Sequence, residues 1–409
     1  MSKTTPHLPK LGRRGLLLGL SALAVAGQSR LAIAAPARTT AAASGRGEAR
    51  LVVVLLRGAL DGLAVVQAYG DPAFRELRQT LALPEPGAEG GVLDLGGFFG
   101  LHPSMANLHG MFRANEALVL HAIAGPYRTR SHFDAQDMLE SGADSRLSSG
   151  WLNRALQSLP ADADAQGARA ALALGLDMPL LLRGPRPVSM FAPPRGEAPP
   201  AELYARLADL THDDPLLGPA VQEGLRARGF ANGVLDKEET RGGGFLYLAG
   251  SAGRLLAAAD GPRVAALEMG GWDTHAAQPN RLKGQLAQLD AGLGALREQM
   301  GEAWKHCAVL VMTEFGRTVR VNGNNGTDHG TGGAAFLLGG AVAGGRVMAD
   351  WPGLGQGRLF EDRDLQPSMD LREVAKTLLR DHLRLPAAAL DAAFPDSRQV
   401  GPRSGLLRA

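Results

Sequence analysis

The sequence predicts an α/β fold with a mainly parallel central sheet and helices on both faces. Three observations carry this. Apolar runs of five to eight residues, rich in Val, Ile and Leu, lie at 51–56, 117–124, 264–269 and 308–312, and they lack the alternation of a strand with one wet face, so they read as strands buried on both sides. Longer stretches between them carry apolar residues at helical spacing, as with Leu282, Leu286, Leu289, Leu293 and Leu296. Acid and histidine clusters lie beside these runs in glycine-containing loops, at the strand ends where open α/β sheets assemble ligand sites. The runs are too short and too β-branched for an all-helical reading.

Taken in chain order, strand 51–56 runs into the loop Arg57-Gly58-Ala59-Leu60-Asp61-Gly62. A helix follows at 103–113, then strand 117–124, whose exit loop holds Arg130-Ser131-His132 and leads into a helix over 134–141. The Pro- and Ala-rich region 157–232 lacks a clear period and reads as a subsidiary lobe or cover segment. Strand 264–269 precedes Gly270-Gly271-Trp272-Asp273-Thr274-His275 and the helix 282–300. Cys307 heads strand 308–312 and reads as a small buried hydrophobe. A glycine-rich loop, 322–333, leads to strand 334–338, and a helix over 370–383 is stopped by Leu385-Pro386. With no repeat of fixed period, residues 50–409 read as a single domain.

Residues 1–34 read as an export signal: Lys3, Lys10, Arg13 and Arg14 form a basic head, 15–27 is an apolar segment too short to span a bilayer comfortably, and Ala32-Ile33-Ala34 is a small-residue exit. Arg13-Arg14 resembles the twin-arginine signal, with departures at Gly12, Leu17 and Leu18, and implies passage through the twin-arginine translocase to the periplasm or beyond. Residues 35–49, rich in Ala, Thr, Ser and Gly, read as a flexible tether. Over 409 residues the net charge is +2, which offers no field for nucleic acid, and a single cysteine excludes an internal disulfide. No stable membrane span is expected.

The candidate site residues are Asp61, Ser131, His132, Asp273, His275, Glu314, Arg317, Asp328 and His329. Carboxylates supply charge and neutral imidazoles supply borderline-soft nitrogen, the donor mixture of a divalent metal site. Asp273 and His275, two apart on a loop, have the spacing to converge on one ion. Arg317 offers a bidentate clamp for a tetrahedral oxyanion or, alternatively, a salt bridge to Glu314. Ser131 reads equally as a nucleophile or as a helix N-cap, and Asp61 as a ligand or a turn acid. There is no G-x-S-x-G, no G-x-x-x-x-G-K-[ST] and no H-E-x-x-H, which leaves metal-assisted hydrolysis as the surviving enzyme class.

The segments Leu55 to Gly62, Arg130-Ser131-His132-Phe133-Asp134-Ala135-Gln136, Gly270 to His275, Thr313-Glu314-Phe315-Gly316-Arg317-Thr318 and Thr327-Asp328-His329-Gly330 resemble the bacterial exported family called domain of unknown function 1501. That family is similar in turn to the alkaline phosphatase and sulfatase superfamily. The resemblance implies an alkaline phosphatase-like fold and an exported hydrolase of phosphate or sulfate esters, acting on small anionic substrates. It also implies Asp61 as first-strand ligand, Ser131 as nucleophile with Thr129 in reserve, Asp273 and His275 as a ligand pair, and His329 as the late histidine. Two departures stand out: Phe315 occupies a position where the superfamily has a histidine, and Asp273 and His275 are closer than the usual helical turn. The metal is therefore open among zinc, calcium, magnesium and manganese, and a non-catalytic envelope protein that binds a ligand or partner is the alternative.

Overall fold

The computed structural model describes residues 49–159, 170–193, 200–235 and 244–408. The predicted export signal and nearly all of the tether lie outside these residues. Among the described residues, nine strands form the main sheet: β1 (Arg50–Leu56), β2 (Ala117–Ala124), β3 (Ala171–Leu174), β4 (Ser189–Phe191), β5 (Val264–Met269), β6 (Cys307–Thr313), β7 (Gly333–Leu338), β8 (Arg346–Met348) and β9 (Met369–Asp370). Their spatial order is β8-β2-β7-β6-β1-β5-β3-β4, with β9 also on β2. Only β7 runs against its neighbours; every other pairing is parallel.

The centre of the sheet shows why its strands read as unbroken apolar runs. In β1, Val52, Val54 and Leu56 face one core while Leu51, Val53 and Leu55 face another. Successive side chains of a strand point to opposite faces, so two helical layers demand an apolar residue at every position. The helices are α1 (Gly62–Val65), α2 (Phe74–Arg78), α3 (Ala106–Arg113), α4 (His132–Ser141), α5 (Trp151–Leu156), α6 (Ala201–Thr211), α7 (Leu217–Val234), α8 (Gly244–Ala257), α9 (Gln278–Met300), α10 (Leu371–Thr377) and α11 (Ala387–Ala393). One core holds α8 and α9, whose stripe from Leu282 to Leu296 is buried as its spacing predicts; the other holds α5, α10 and α11. Cys307 is fully buried, and that burial pushes its thiol well above the ordinary range.

The differences from expectation are local. The 157–232 region does more than cover the fold: β3 and β4 extend the sheet beyond β5, and α6 and α7 follow them. The helix expected over 370–383 divides into α10, started by a capping box between Asp370 and Glu373, and a π-helical turn, Leu378–His382. A small sheet of Val66–Gln67, Gly100–Leu101 and Leu93–Asp94 was not anticipated, because strands of two residues carry no periodic signal.

Topology brings the candidate residues to one edge. Strands β1, β2, β5 and β6 point their carboxyl ends there, and the reversed β7 begins there, with Gly333 opposite Ile123 near the end of β2. Four exit loops and one entry loop thus meet at one place.

Candidate metal centre

Three imidazoles and one carboxylate converge at this edge. His329 Nε2 lies 3.0 Å from His132 Nε2 and 3.0 Å from His275 Nε2. Asp273 Oδ1 lies 2.9 Å from His275 Nε2, 3.3 Å from His329 Nε2 and 3.6 Å from His132 Nε2. The ligand atoms of His132, Asp273 and His329 all fall within 4.8 Å of one another.

The outer hydrogen bonds fix which nitrogen faces inward. His132 Nδ1 donates to Glu314 Oε1 at 2.8 Å, His275 Nδ1 to Asp328 Oδ1 at 3.0 Å, and His329 Nδ1 to the Arg130 carbonyl at 2.9 Å. Ionised carboxylates and carbonyls only accept, so each Nδ1 carries the proton, and in the neutral rings each Nε2 has a free lone pair on the inner side. Lone pairs 3.0 Å apart repel unless a proton or a cation lies between them. A tetrahedral ion with bonds of about 2.0–2.1 Å sets its ligand atoms roughly 3.3 Å apart, close to the 3.0, 3.3 and 3.6 Å between those of His132, Asp273 and His329, so these three fit a divalent metal, with His275 beside them. Imidazoles held by a carboxylate or carbonyl through the far nitrogen are the usual support of such a site.

The surrounding residues hold this arrangement. Glu314, 3% exposed, accepts on Oε1 from His132, the Gly58 amide (2.8 Å) and Gln136 (3.0 Å), and on Oε2 from the Thr313 hydroxyl (2.8 Å). Burial pushes its carboxyl up, but these donors outweigh it and hold the group below the ordinary range. The same Glu314 hydrogen bond raises the pKa of His132. Burial lowers that of His329. Asp273 is pushed up by burial but held lower overall by Arg317, whose Nη1 donates to Oδ1 at 2.6 Å. Gly58 has φ +117°, and a Cβ there would stand 2.7 Å from the Asp273 amide nitrogen, so the β1 exit must be glycine to pass the β5 exit. Residues 328–331 pair back on 316–318, with Arg317 opposite His329; a Cβ on Gly330 would come within 2.4 Å of the Arg317 backbone.

A family model described as "Protein of unknown function (DUF1501)" matches residues 114–394, which include β2 to β9 and all four residues of the cluster. The chain belongs to the DUF1501 family. No curated protein matches it. Among solved structures, this DUF1501 chain is similar to the C-terminal periplasmic domain of EcEptC from Escherichia coli in complex with Zn, at 10% identity and TM-score 0.37 over 88% of this chain and 92% of that one. A Bacteroides thetaiotaomicron protein described under the metabolism of multiple glycosaminoglycans is similar at 11% identity and TM-score 0.34, over 83% and 74%. So is Ps i-CgsB in complex with k-i-k-neocarrahexaose, at 10% identity and TM-score 0.37, over 87% and 77%.

Not every residue expected in the site takes the expected position. Asp273, His275 and His329 present donor atoms to the cluster, and His132, expected as a catalytic group, joins them. Glu314 and Asp328, expected as ligands, stand one step out, as acceptors for His132 and His275. Asp61, also expected as a ligand, caps α1 through the Ala64 amide and is ion-paired with fully buried Arg78 and bonded by Gln278 Nε2 at 2.6 Å; its path to the cluster runs through Thr327 and Arg317. Arg317, expected to clamp an oxyanion, is itself buried and gives Nε and Nη2 to Thr327 and Nη1 to Asp273, so it orients the carboxylate. Ser131 stands at the N-cap of α4 without a side-chain capping hydrogen bond, its amide donating to the Tyr127 hydroxyl at 3.4 Å. Phe315 is not an empty substitution: its ring packs 5.0 Å from that of His132 and 5.3 Å from that of His329 and keeps both in place. The role of the Arg130 carbonyl was invisible in the sequence, since a backbone acceptor has no residue-type signature; Arg130 itself is held at φ +64° by Asp364 and Glu361.

Proposed function

We propose that this DUF1501 chain is an exported metal-dependent hydrolase of phosphate or sulfate esters, of the alkaline phosphatase and sulfatase type. The observation that carries the reading is the meeting of the Nε2 atoms of His132 and His329 with Asp273 Oδ1, with His275 Nε2 beside them and every Nδ1 proton taken by an acceptor. His132, Asp273 and His329 would hold the ion, with His275 beside Asp273. Bound there, a divalent cation supplies charge neutralisation for the ester oxygens and Lewis-acid activation of the attacking oxygen.

The chain's own residues do the rest. Glu314, Asp328 and the Arg130 carbonyl keep the imidazoles in one tautomer, and Arg317 keeps Asp273 ionised and aimed. Ser131, at the N-cap of α4 beside His132, would supply the attacking oxygen, so Ser131→Ala should abolish turnover while preserving metal; retained turnover would make the attacking oxygen that of water. Of the metals open at the sequence level, nitrogen-rich coordination favours zinc over calcium and magnesium, which prefer all-oxygen shells.

Metal analysis of the mature chain isolated without chelator tests the reading, together with hydrolysis of aryl phosphate and aryl sulfate before and after chelation. Stoichiometric metal with chelator-sensitive turnover is expected. Stoichiometric metal without turnover on either ester class would favour a non-catalytic envelope protein that binds a ligand or partner, a reading the commitment of Arg317 to Asp273 and Thr327 favours. Twin-arginine export belongs to the same proposal: replacing Arg13 and Arg14 with Lys leaves uncleaved precursor in the cytoplasm. Among the described residues, no helix is long and apolar enough to cross a membrane.

A further inference from the structure

Glu314 Oε1, which orients His132, receives three donors: the Gly58 amide, His132 Nδ1 and Gln136 Nε2. The backbone amide can only donate, whereas a side-chain amide can turn either its nitrogen or its oxygen to a neighbour, and an oxygen turned to Glu314 would oppose a buried carboxylate. What fixes Gln136 lies on its far side. Arg57 Nη1 donates to Gln136 Oε1 at 3.1 Å, and a guanidinium has no acceptor, so the amide oxygen belongs to Arg57 and the nitrogen to Glu314. Arg57 is held in turn by two carboxylates. Its Nε donates to Glu268 Oε1 of β5 at 3.0 Å, and its Nη2 stands 2.8 Å from Glu140 Oε1, whose side chain is 4% exposed. Glu140 follows Gln136 by four residues on α4, so the two reach the guanidinium from one face of that helix, and Glu140 Oε2 accepts from the Leu181 amide at 2.9 Å.

We infer that Arg57 is a positioning residue of the metal centre, acting through Gln136: it fixes the amide that keeps Glu314 aimed at His132. This rests on the metal reading above and extends the support of one ligand beyond Glu314 by two further hydrogen bonds, to a guanidinium anchored on β5 and α4. The side chain acts separately from its backbone. The Arg57 amide donates to the Met269 carbonyl at 2.9 Å, and its carbonyl accepts from the Trp272 amide at 3.4 Å, so the Gly58 amide that follows stays on Glu314 when the side chain is changed. Lysine cannot take the same role, because an ammonium is a point charge without the planar fork that spans Gln136, Glu140 and Glu268 at once.

The test uses the mature chain, stripped of metal and reloaded with one equivalent of Co2+, with affinity read by competition with a chelating dye and the stability of the metal-free chain by urea unfolding. Arg57→Lys keeps a cation between Glu140 and Glu268, and Gln136→Leu removes the amide while leaving Arg57 on its carboxylates. Each should weaken Co2+ binding by about 3–10-fold, less than the roughly 10–100-fold expected of a residue bonded directly to a ligand. The double variant should bind within about twofold of the weaker-binding single variant, because both changes break the same path. A merely structural role would lower the urea midpoint without this coupling. The inference is overturned if either single variant binds Co2+ as wild type does, or if the two losses multiply in the double variant. Should Arg57→Lys not fold, Glu268→Gln carries the same test by loosening the guanidinium from its partly exposed side while buried Glu140 stays paired. It should weaken Co2+ binding in the wild-type background and not in Gln136→Leu; an equal loss in both would overturn the inference as well. Failure of the wild-type chain to bind Co2+ at all would remove the metal reading itself, a result distinct from these.

Discussion

Glu314 and His132 occupy adjacent links of one chain of hydrogen bonds, and which of them faces inward is a matter of side-chain direction. The sequence places both at strand exits beside glycines, and residue type allows either to ligate. Only the packing, with Glu314 beneath His132 and pinned by Gly58, Gln136 and Thr313, decides the order. The same holds for Asp61, whose buried partner Arg78 lies on α2, a helix the sequence reading did not include. Glu314→Gln should therefore leave the ligand atoms in place yet weaken Co2+ or Zn2+ binding by about 10–100-fold, measured by dye competition, since it removes the charge that sets the His132 tautomer. Arg317→Met should act on the fold: it removes the donors to the Thr327 carbonyl and to Asp273, whose carboxylate is 43% exposed and therefore screened, and should cost about 1–3 kcal/mol, read by urea unfolding. An unchanged midpoint in that variant would show that Arg317 is not what holds Asp273.

At the level of elements, legibility followed burial. Strands β1, β2 and β5 were readable because both faces are covered and nearly every position is apolar; β3 and β4 were not, since Ala171–Leu174 is a brief Ala-Leu run and Ser189–Phe191 a three-residue strand within a Pro-rich region. The helix α9 was readable from its leucine stripe, and Leu289→Ala, at 0% exposure, should cost about 2–5 kcal/mol by the same unfolding measurement. Strand β2 carries a feature that periodicity does not reveal. His121 is fully buried there, with Nε2 donating to the Val66 carbonyl and Nδ1 accepting from the Ala122 amide, and burial lowers its pKa to about 4. The folded value lies below the unfolded value of about 6.5, so its contribution is complete above that pH and is lost as pH falls towards 4, by roughly 3 kcal/mol at the limit. Unfolding midpoints from pH 7.5 to about 4.5 should fall more steeply in wild type than in His121→Gln; equal slopes would place the acid sensitivity elsewhere.

For the whole molecule, the metal reading makes a thermodynamic demand. His132 enters from the β2 exit, Asp273 from the β5 exit with His275 beside it, and His329 from the loop before β7, so an ion bound by His132, Asp273 and His329 joins segments far apart in sequence at one sheet edge. Binding only to the folded chain stabilises it by about 2.7 kcal/mol when free metal is 100 times the dissociation constant. The pH dependence of this gain follows from the imidazoles. Each must be unprotonated at Nε2 to ligate, so binding displaces protons and strengthens as pH rises. His132 is the controlling group, because Glu314 raises its pKa while burial lowers that of His329. In the metal-free protein, the raised His132 pKa contributes stability that is present below about 6.5 and is lost as pH rises through the folded value. The stabilisation by metal runs the opposite way, growing over that window. The metal-induced rise in Tm should therefore be small near pH 5.5, large near pH 8, reversed by chelator, and missing in His329→Gln at both; a rise independent of pH, or one that survives the loss of His329, would locate the ion away from these imidazoles.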